Sequence, residues 1–383
     1  MYRYLHPLII RDLQKKMVFV GGPRQCGKTT LAENIIKDFP YKTNRNGIYF
    51  DWDFDSDRKK ILNHLWGEEN ELIVFDELHK YKRWKNWIKG VFDKTKHDHR
   101  YLVTGSARLD VYRRGGDSLL GRYHYWRLHP FTLSELPKGI TLKDGLDRLM
   151  TLGGFPEPFL DGSETEARRW RKERFDKVLK DDVRDLEGLH DIQTLSLFVD
   201  LLRHRVGSPI VLNSIANELQ ISPVTAKNWL AILERMYLVF VVRPITRDIP
   251  RAVLKPPKVF FYDNSDVIGD EGARFENLVA TSLLKELQFR EDSEGYEYEL
   301  RYIRDKDGRE VDFALVRDQK LFGLVEAKCS DTHISTSLKY YAEKLSPLFA
   351  LQTVLHLRNS FSSGKLSVKS PIECFQSFKW LDF

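Results

Sequence analysis

Residues 18–30 read VFVGGPRQCGKTT, and no other stretch of the chain constrains its fold as tightly. The run fits G-x-x-x-x-G-K-[ST], from Gly22 through Gly27 and Lys28 to Thr29. Glycines at these positions let the backbone curl until several N–H groups face one anion. An apolar MVFV precedes the loop and a helical TTLAENIIKDF follows it, so the loop opens onto a helix N-terminus. In that setting Lys28 reaches outer phosphates, the Thr29 hydroxyl sits on magnesium, and Thr30 joins the phosphate-facing set. The plain alternative is a tight turn with solvated side chains.

A partner segment weighs against that alternative. ELIVFDELHK is a short buried strand ending in Asp76 and Glu77. Asp76 is expected to hold magnesium through water, and Glu77 to polarise an attacking water. Glu77 has a second reading as a helix-capping acid. Further strands are expected at 47–51, 101–106 and 123–128, with helices between them. That alternation predicts α/β architecture: a parallel sheet with helices on both faces. Thr104 or Ser106 then ends the strand beside the acidic one, where a small polar side chain is placed to sense a γ-phosphate. A strand-end turn is the other reading of each.

In this order the motifs resemble an AAA+ type P-loop ATPase. Finer features (GGPRQCGKTTL, FDELHK, LVTGSARL, GRYHYWRLHPFTLSEL and LGGFPEP) resemble a prokaryotic AAA+ family with an attached C-terminal domain of uncharacterised function. The resemblance implies ATP, magnesium and a homo-oligomer such as a hexamer. It also implies an arginine offered to a neighbour's γ-phosphate. Arg108, Arg113, Arg114 and Arg122 are candidates, with Arg122 favoured, and a surface charge or structural pair is the other reading of each. Residues 80–100 interleave basic side chains with Tyr81, Trp84 and Trp87, a mixture suited to nucleic acid. Yet Trp84, Trp87, Ile88 and Val91 recur at helical spacing, which favours a helix buried against the sheet.

The chain has 383 residues, enough for two or three domains. The expected division is 1–155 for the ATPase, 156–250 for a helical lid and winged-helix region, and 251–383 for the C-terminal unit. No apolar run is long enough to span a bilayer. The N-terminus lacks the h-region of a signal peptide, and reads as a short amphipathic helix leading into a strand. Cys26, Cys329 and Cys374 have no metal-site spacing, so a reducing cytoplasm is the expected home. A net charge of +6 permits nucleic acid as a partner without establishing it.

GGFPEPF, at 153–159, is a hinge of glycine and proline. Beyond it, the sequence predicts a helix over 212–219 and a turn at QIS. A second helix opens at Ser222 and Pro223, a capping residue followed by a first-turn proline. It turns Thr225, Lys227 and Asn228 outward, and YLVFVVRPI is expected as the wing of a winged helix-turn-helix. Such a unit either enters a major groove or serves as a lid or subunit contact.

RDIPRAVLKPPKVFFYDNSDV reads as a linker and a returning strand, and a new unit is expected to begin near Gly269. A helix there carries Glu276. A hairpin follows, with Asp312 on one strand and Glu326 and Lys328 on the next. Alternate strand residues share a face, so Glu326 and Lys328 point together and Asp312 lies beside them. Two carboxylates and a lysine on one sheet face suit a magnesium site. The pattern resembles the PD-(D/E)XK nuclease core, a restriction-endonuclease-like mixed α/β fold. That resemblance implies Asp312 and Glu326 on the metal, Lys328 on the nucleophilic water and Glu276 in support. Val311 stands where the usual proline would precede the aspartate. A nuclease fold without cleavage is the other reading.

The sequence thus supports an ATP-hydrolysing protein that remodels or cleaves DNA, branched or duplex. The competing readings are a nucleotide-switched regulatory or defence ATPase whose C-terminal domain binds a partner without cleavage, and a protein-remodelling ATPase.

Overall fold

The computed structural model describes residues 3–105, 119–179, 191–245, 255–331 and 333–381. The chain divides into two compact units, Met1–His129 and Pro130–Phe383.

In the first unit, helix α1 (His6–Leu13) leads into β1 (Met17–Gly21), the glycine loop and α2 (Lys28–Asp38). β2 (Asn46–Asp51), α3 (Asp55–Leu62), β3 (Asn70–Asp76), α4 (Trp84–Thr95), β4 (Arg100–Thr104) and β5 (Tyr123–Arg127) follow. The five strands form one sheet in the order β2-β3-β4-β1-β5, and every pairing is parallel. Parallel neighbours need crossover connections, and these bring all the strand C-termini to one edge. Asp51, Asp76, Thr104 and the loop after Gly21 therefore converge. The near-continuous apolar runs of β1 and β3 reflect burial on both faces. Phe50, Phe75 and Tyr101 stack across β2, β3 and the start of β4. Trp84, Ile88 and Val91 of α4 are buried in the same core and Trp87 is packed against it, as the helical spacing predicted.

The second unit carries α5 (Leu142–Thr151), α6 (Pro156–Asp161), α7 (Glu164–Lys177), α8 (Ile192–Arg203), α9 (Leu212–Glu218) and α10 (Pro223–Arg235). β6 (Val239–Pro244), β7 (Lys258–Phe261), α11 (Glu271–Glu294), β8 (Tyr298–Arg304), β9 (Glu310–Arg317) and β10 (Lys320–Lys328) come next. α12 (Thr336–Leu345), β11 (Phe349–Val354), β12 (Phe361–Ser363), β13 (Leu366–Lys369) and α13 (Pro371–Phe375) complete it. The eight strands form a mixed sheet in the order β12-β13-β11-β10-β9-β8-β6-β7. The Ser222 side chain accepts from the Thr225 N–H at the start of α10, the cap its sequence predicts. β6 covers the segment expected as a wing, and its pairing extends beyond one. It pairs antiparallel with β7 and parallel with β8, so it is a strand of the large sheet. Its alternation of buried residues suits a sheet as well as a wing, and the two cannot be separated by local pattern. The β9–β10 hairpin turns at Asp318 and Gln319, both at positive φ.

Candidate nucleotide site and C-terminal carboxylate cluster

The glycine loop joins β1 to α2 with Gly27 at the N-cap, φ 93°, and no side chain caps the helix. Its first N–H groups therefore remain available to an anion. A Cβ at Gly22 would run into the Leu128 carbonyl oxygen, so the loop needs glycine there for close approach as well as for its φ of 151°. Lys28 is buried, and its Nζ donates to the Gly22 and Pro23 carbonyls at 3.0 and 2.7 Å. Thr30 follows on the first turn of α2 and is exposed.

The two motifs meet at Asp76. Thr29 Oγ1 donates to Asp76 Oδ2 at 2.8 Å, across 47 residues of chain. Tyr49 OH donates to the same oxygen at 2.5 Å. Oδ1 accepts from Thr104 Oγ1 and from the Glu77 N–H. Burial, then the bond to Asp76, holds the Tyr49 phenol protonated well above its ordinary value. Tyr49 was missed in the sequence because β2 carries no motif; only its register, Tyr49 beside Val74, brings it to the strand ends.

Glu77 sits at φ 54°, ψ 21°, and makes no capping hydrogen bond, so the capping reading of its side chain has no geometry behind it. A left-handed glutamate costs about 1–2 kcal/mol and persists where the surroundings over-determine it. Its Oε2 lies 3.4 Å from Lys80 Nζ and 3.6 Å from His79 Nε2. Lys80 also pairs with Asp53 at 2.6 Å. Burial, with Asp53, Asp76 and Glu77 close by, raises the Asp51 carboxyl above its ordinary value. The N-terminal donor set fits a magnesium nucleotide: free helix N–H groups and an ammonium for phosphate, and a hydroxyl beside a carboxylate for the metal. Arg122 immediately precedes β5 and grips Asp93 with two nitrogens, at 2.7 and 3.1 Å, the structural pairing that is the other reading beside its arginine-finger role. Ser106, Arg108, Arg113 and Arg114 lie outside the described residues.

In the second unit, Glu276, Asp312, Glu326 and Lys328 come together as their spacing predicts. Lys328 Nζ lies 2.9 Å from Glu326 Oε1. Glu326 Oε2 accepts from the Asp312 N–H at 3.4 Å, and Asp312 Oδ2 accepts from the Ala327 N–H at 3.0 Å. A fifth member, absent from the sequence reading, is Lys258 at the start of β7. It is 1% exposed. Its ammonium lies 2.7 Å from Glu310, 3.0 Å from Glu276 and 3.5 Å from Asp312. The face of Tyr302 covers it at 5.5 Å. Burial and the Asp312 charge raise the Glu276 carboxyl to about 8, against the pull of Lys258. The same two causes raise Glu326 to about 7, against Lys328. A divalent ion between Glu276 and Asp312 does not fit this donor set, because an ammonium stands there. Among the described residues no three His, Cys, Asp or Glu side chains are arranged to hold a metal ion.

Comparison with known proteins agrees with the N-terminal geometry. Residues 14–137 match the AAA domain family (AAA_14). Residues 143–266 and 271–369 match two domains of unknown function, DUF8612 and DUF4143. An uncharacterized protein of Mycobacterium tuberculosis is 25% identical over 249 residues, 64% of this chain and 54% of that protein. An uncharacterized protein of Methanocaldococcus jannaschii is 24% identical over 298 residues, 66% and 62% of the two chains. The chain thus spans little more than half the length of these curated relatives. Among solved structures, Bacteroides Pif1 bound to ssDNA aligns at 15% identity and a TM-score of 0.21, covering 41% of this chain and 48% of that one. A DNA replication initiation factor aligns at 17% identity and a TM-score of 0.26, covering 60% and 86%. The AAA match and the all-parallel sheet support a P-loop ATPase domain in the first unit. No helix among the described residues is long and apolar enough to cross a membrane.

Proposed function

We propose that this protein hydrolyses ATP with magnesium in its first unit and couples that cycle to DNA bound by its second, without cutting it. The observation that carries the first half is the Thr29–Asp76 contact, which joins the two nucleotide motifs through one hydrogen bond. Lys28 and the α2 N-terminus would hold the phosphates. Thr29 and Asp76 would hold the magnesium, whose charge offsets that of the phosphates. Glu77 is positioned to orient the attacking water, with Lys80 and His79 fixing its carboxylate. A homo-oligomer, a hexamer in the AAA+ reading, would complete the site in trans.

DNA as the partner is an inference from α9 and α10, whose capped second helix exposes Lys227 and Asn228. The reading without cleavage is preferred to the nuclease one because the Lys258 ammonium lies 3.5 Å from Asp312, one of the two carboxylates that a nuclease would give to its metal, and 3.0 Å from the supporting Glu276. The test is ATP turnover with single-stranded, duplex and branched DNA, wild type beside Lys28→Ala, with the same samples run for cut products. DNA-stimulated turnover that Lys28→Ala abolishes, with DNA intact, is the expected result. Turnover indifferent to every DNA would point to a nucleotide switch for another partner.

A further inference from the structure

Lys258 belongs to no motif, yet it is among the most completely buried charged side chains in the second unit. Burying a lone ammonium costs several kcal/mol, so it persists only where partners return that energy. Here three carboxylates do so at 2.7–3.5 Å. The surrounding backbone closes on them. Pro209 bridges to Lys258, and a Cβ at Gly207, φ +74°, would collide with the Glu276 carboxylate. The oxygens of Asp312 and Glu326 are engaged as well. Asp312 Oδ1 takes Lys258 and Oδ2 the Ala327 N–H. Glu326 Oε1 takes Lys328 and Oε2 the Asp312 N–H. A divalent ion entering between Asp312 and Glu276 would have to displace a buried ammonium and meet its charge.

We propose that Lys258 is the resident cation of this cluster, standing in the place of a divalent metal, so that the second unit keeps its carboxylates together without magnesium. The proposal deepens the reading of that unit as a domain that does not cleave, and rests on it. Lysine and metal are alternative solutions to one problem, the mutual repulsion of carboxylates held on adjacent strands. The lysine is permanent and, unlike a metal ion, brings no bound water to act as a nucleophile.

The experiment counts Mn2+ bound by the full chain, without nucleotide, from the spin-resonance signal of free Mn2+. Wild type, Asp312→Asn, Lys258→Met and the double variant Lys258→Met/Asp312→Asn are compared. Any Mn2+ near Thr29 and Asp76 is common to all four and cancels. Wild type and Asp312→Asn should bind equally. Lys258→Met should gain one site, and the double variant should lose it. A wild-type Mn2+ that Asp312→Asn removes would overturn the proposal, as would a folded Lys258→Met that gains nothing. If circular dichroism shows Lys258→Met unfolded, the comparison of wild type with Asp312→Asn still decides. DNA incubated in the same samples separates the two readings. Cleavage that persists in EDTA would sink the reading without cleavage, yet would still support Lys258 in the metal's place.

Discussion

Asp76 and Asp312 are both strand carboxylates with acidic neighbours, and the protein treats them in opposite ways. Asp76 is held by neutral donors: the hydroxyls of Thr29, Tyr49 and Thr104 and the Glu77 N–H. Such donors orient a carboxylate and leave its charge for a cation arriving from outside. Asp312 is held by one N–H and by the Lys258 ammonium, which cancels that charge from within. The donor chemistry, more than the number of acids, separates a site ready for metal from one already balanced.

The comparison breaks most decisively at Glu77. Glu77→Gln should lower ATP turnover about 10²–10⁴-fold while leaving nucleotide binding intact, read by steady-state kinetics and a fluorescent nucleotide. Unchanged turnover would reduce its left-handed backbone to a mere turn. On the other side, Lys258→Ala should cost about 3–5 kcal/mol, because it strands buried carboxylates without their cation. Hydrogen exchange in β9 and β10 reads that loss locally, and near-wild-type protection would mean the cluster tolerates an empty cradle.

A pH series sharpens the contrast. Between 4.5, the ordinary glutamate value, and about 7, the folded chain keeps a proton on Glu326 that the unfolded chain has released. Raising pH across that window therefore favours unfolding, so stability of the second unit should fall. Glu276 extends the fall toward about 8. Glu326→Gln should flatten the lower part of the slope; a slope that survives it assigns the effect elsewhere. The smallest expected effect is at Tyr49. Tyr49→Phe removes one of two donors on Asp76 Oδ2, a loss of about 1 kcal/mol or about fivefold, which should appear as a higher half-saturating magnesium concentration in ATP turnover.

The first unit was legible in the sequence because its signals are local. An apolar strand, a glycine loop and a helix lie within one short stretch, and the strands at 17–21, 46–51, 70–76, 100–104 and 123–127 follow the expected order. The hairpin carrying Asp312, Glu326 and Lys328 was legible for the same reason, through the period of two. Tyr49 and Lys258 were not. Each acts through contacts that only sheet register and tertiary packing create: the sequence predicts a returning strand in the segment around Lys258, but its pairing, Val259 beside Val241, is what sets Lys258 at the strand's start. The β6 segment shows the same limit: alternation identified a strand but could not say which sheet receives it.

That strand has a further consequence. α10 ends at Arg235 and β6 begins at Val239, so only residues 236–238 separate the helix proposed to meet DNA from the eight-stranded sheet. The link allows no slack. Any torque a bound duplex applied to α10 would pass directly into β6 and its neighbours β7 and β8, next to the strand that carries Asp312.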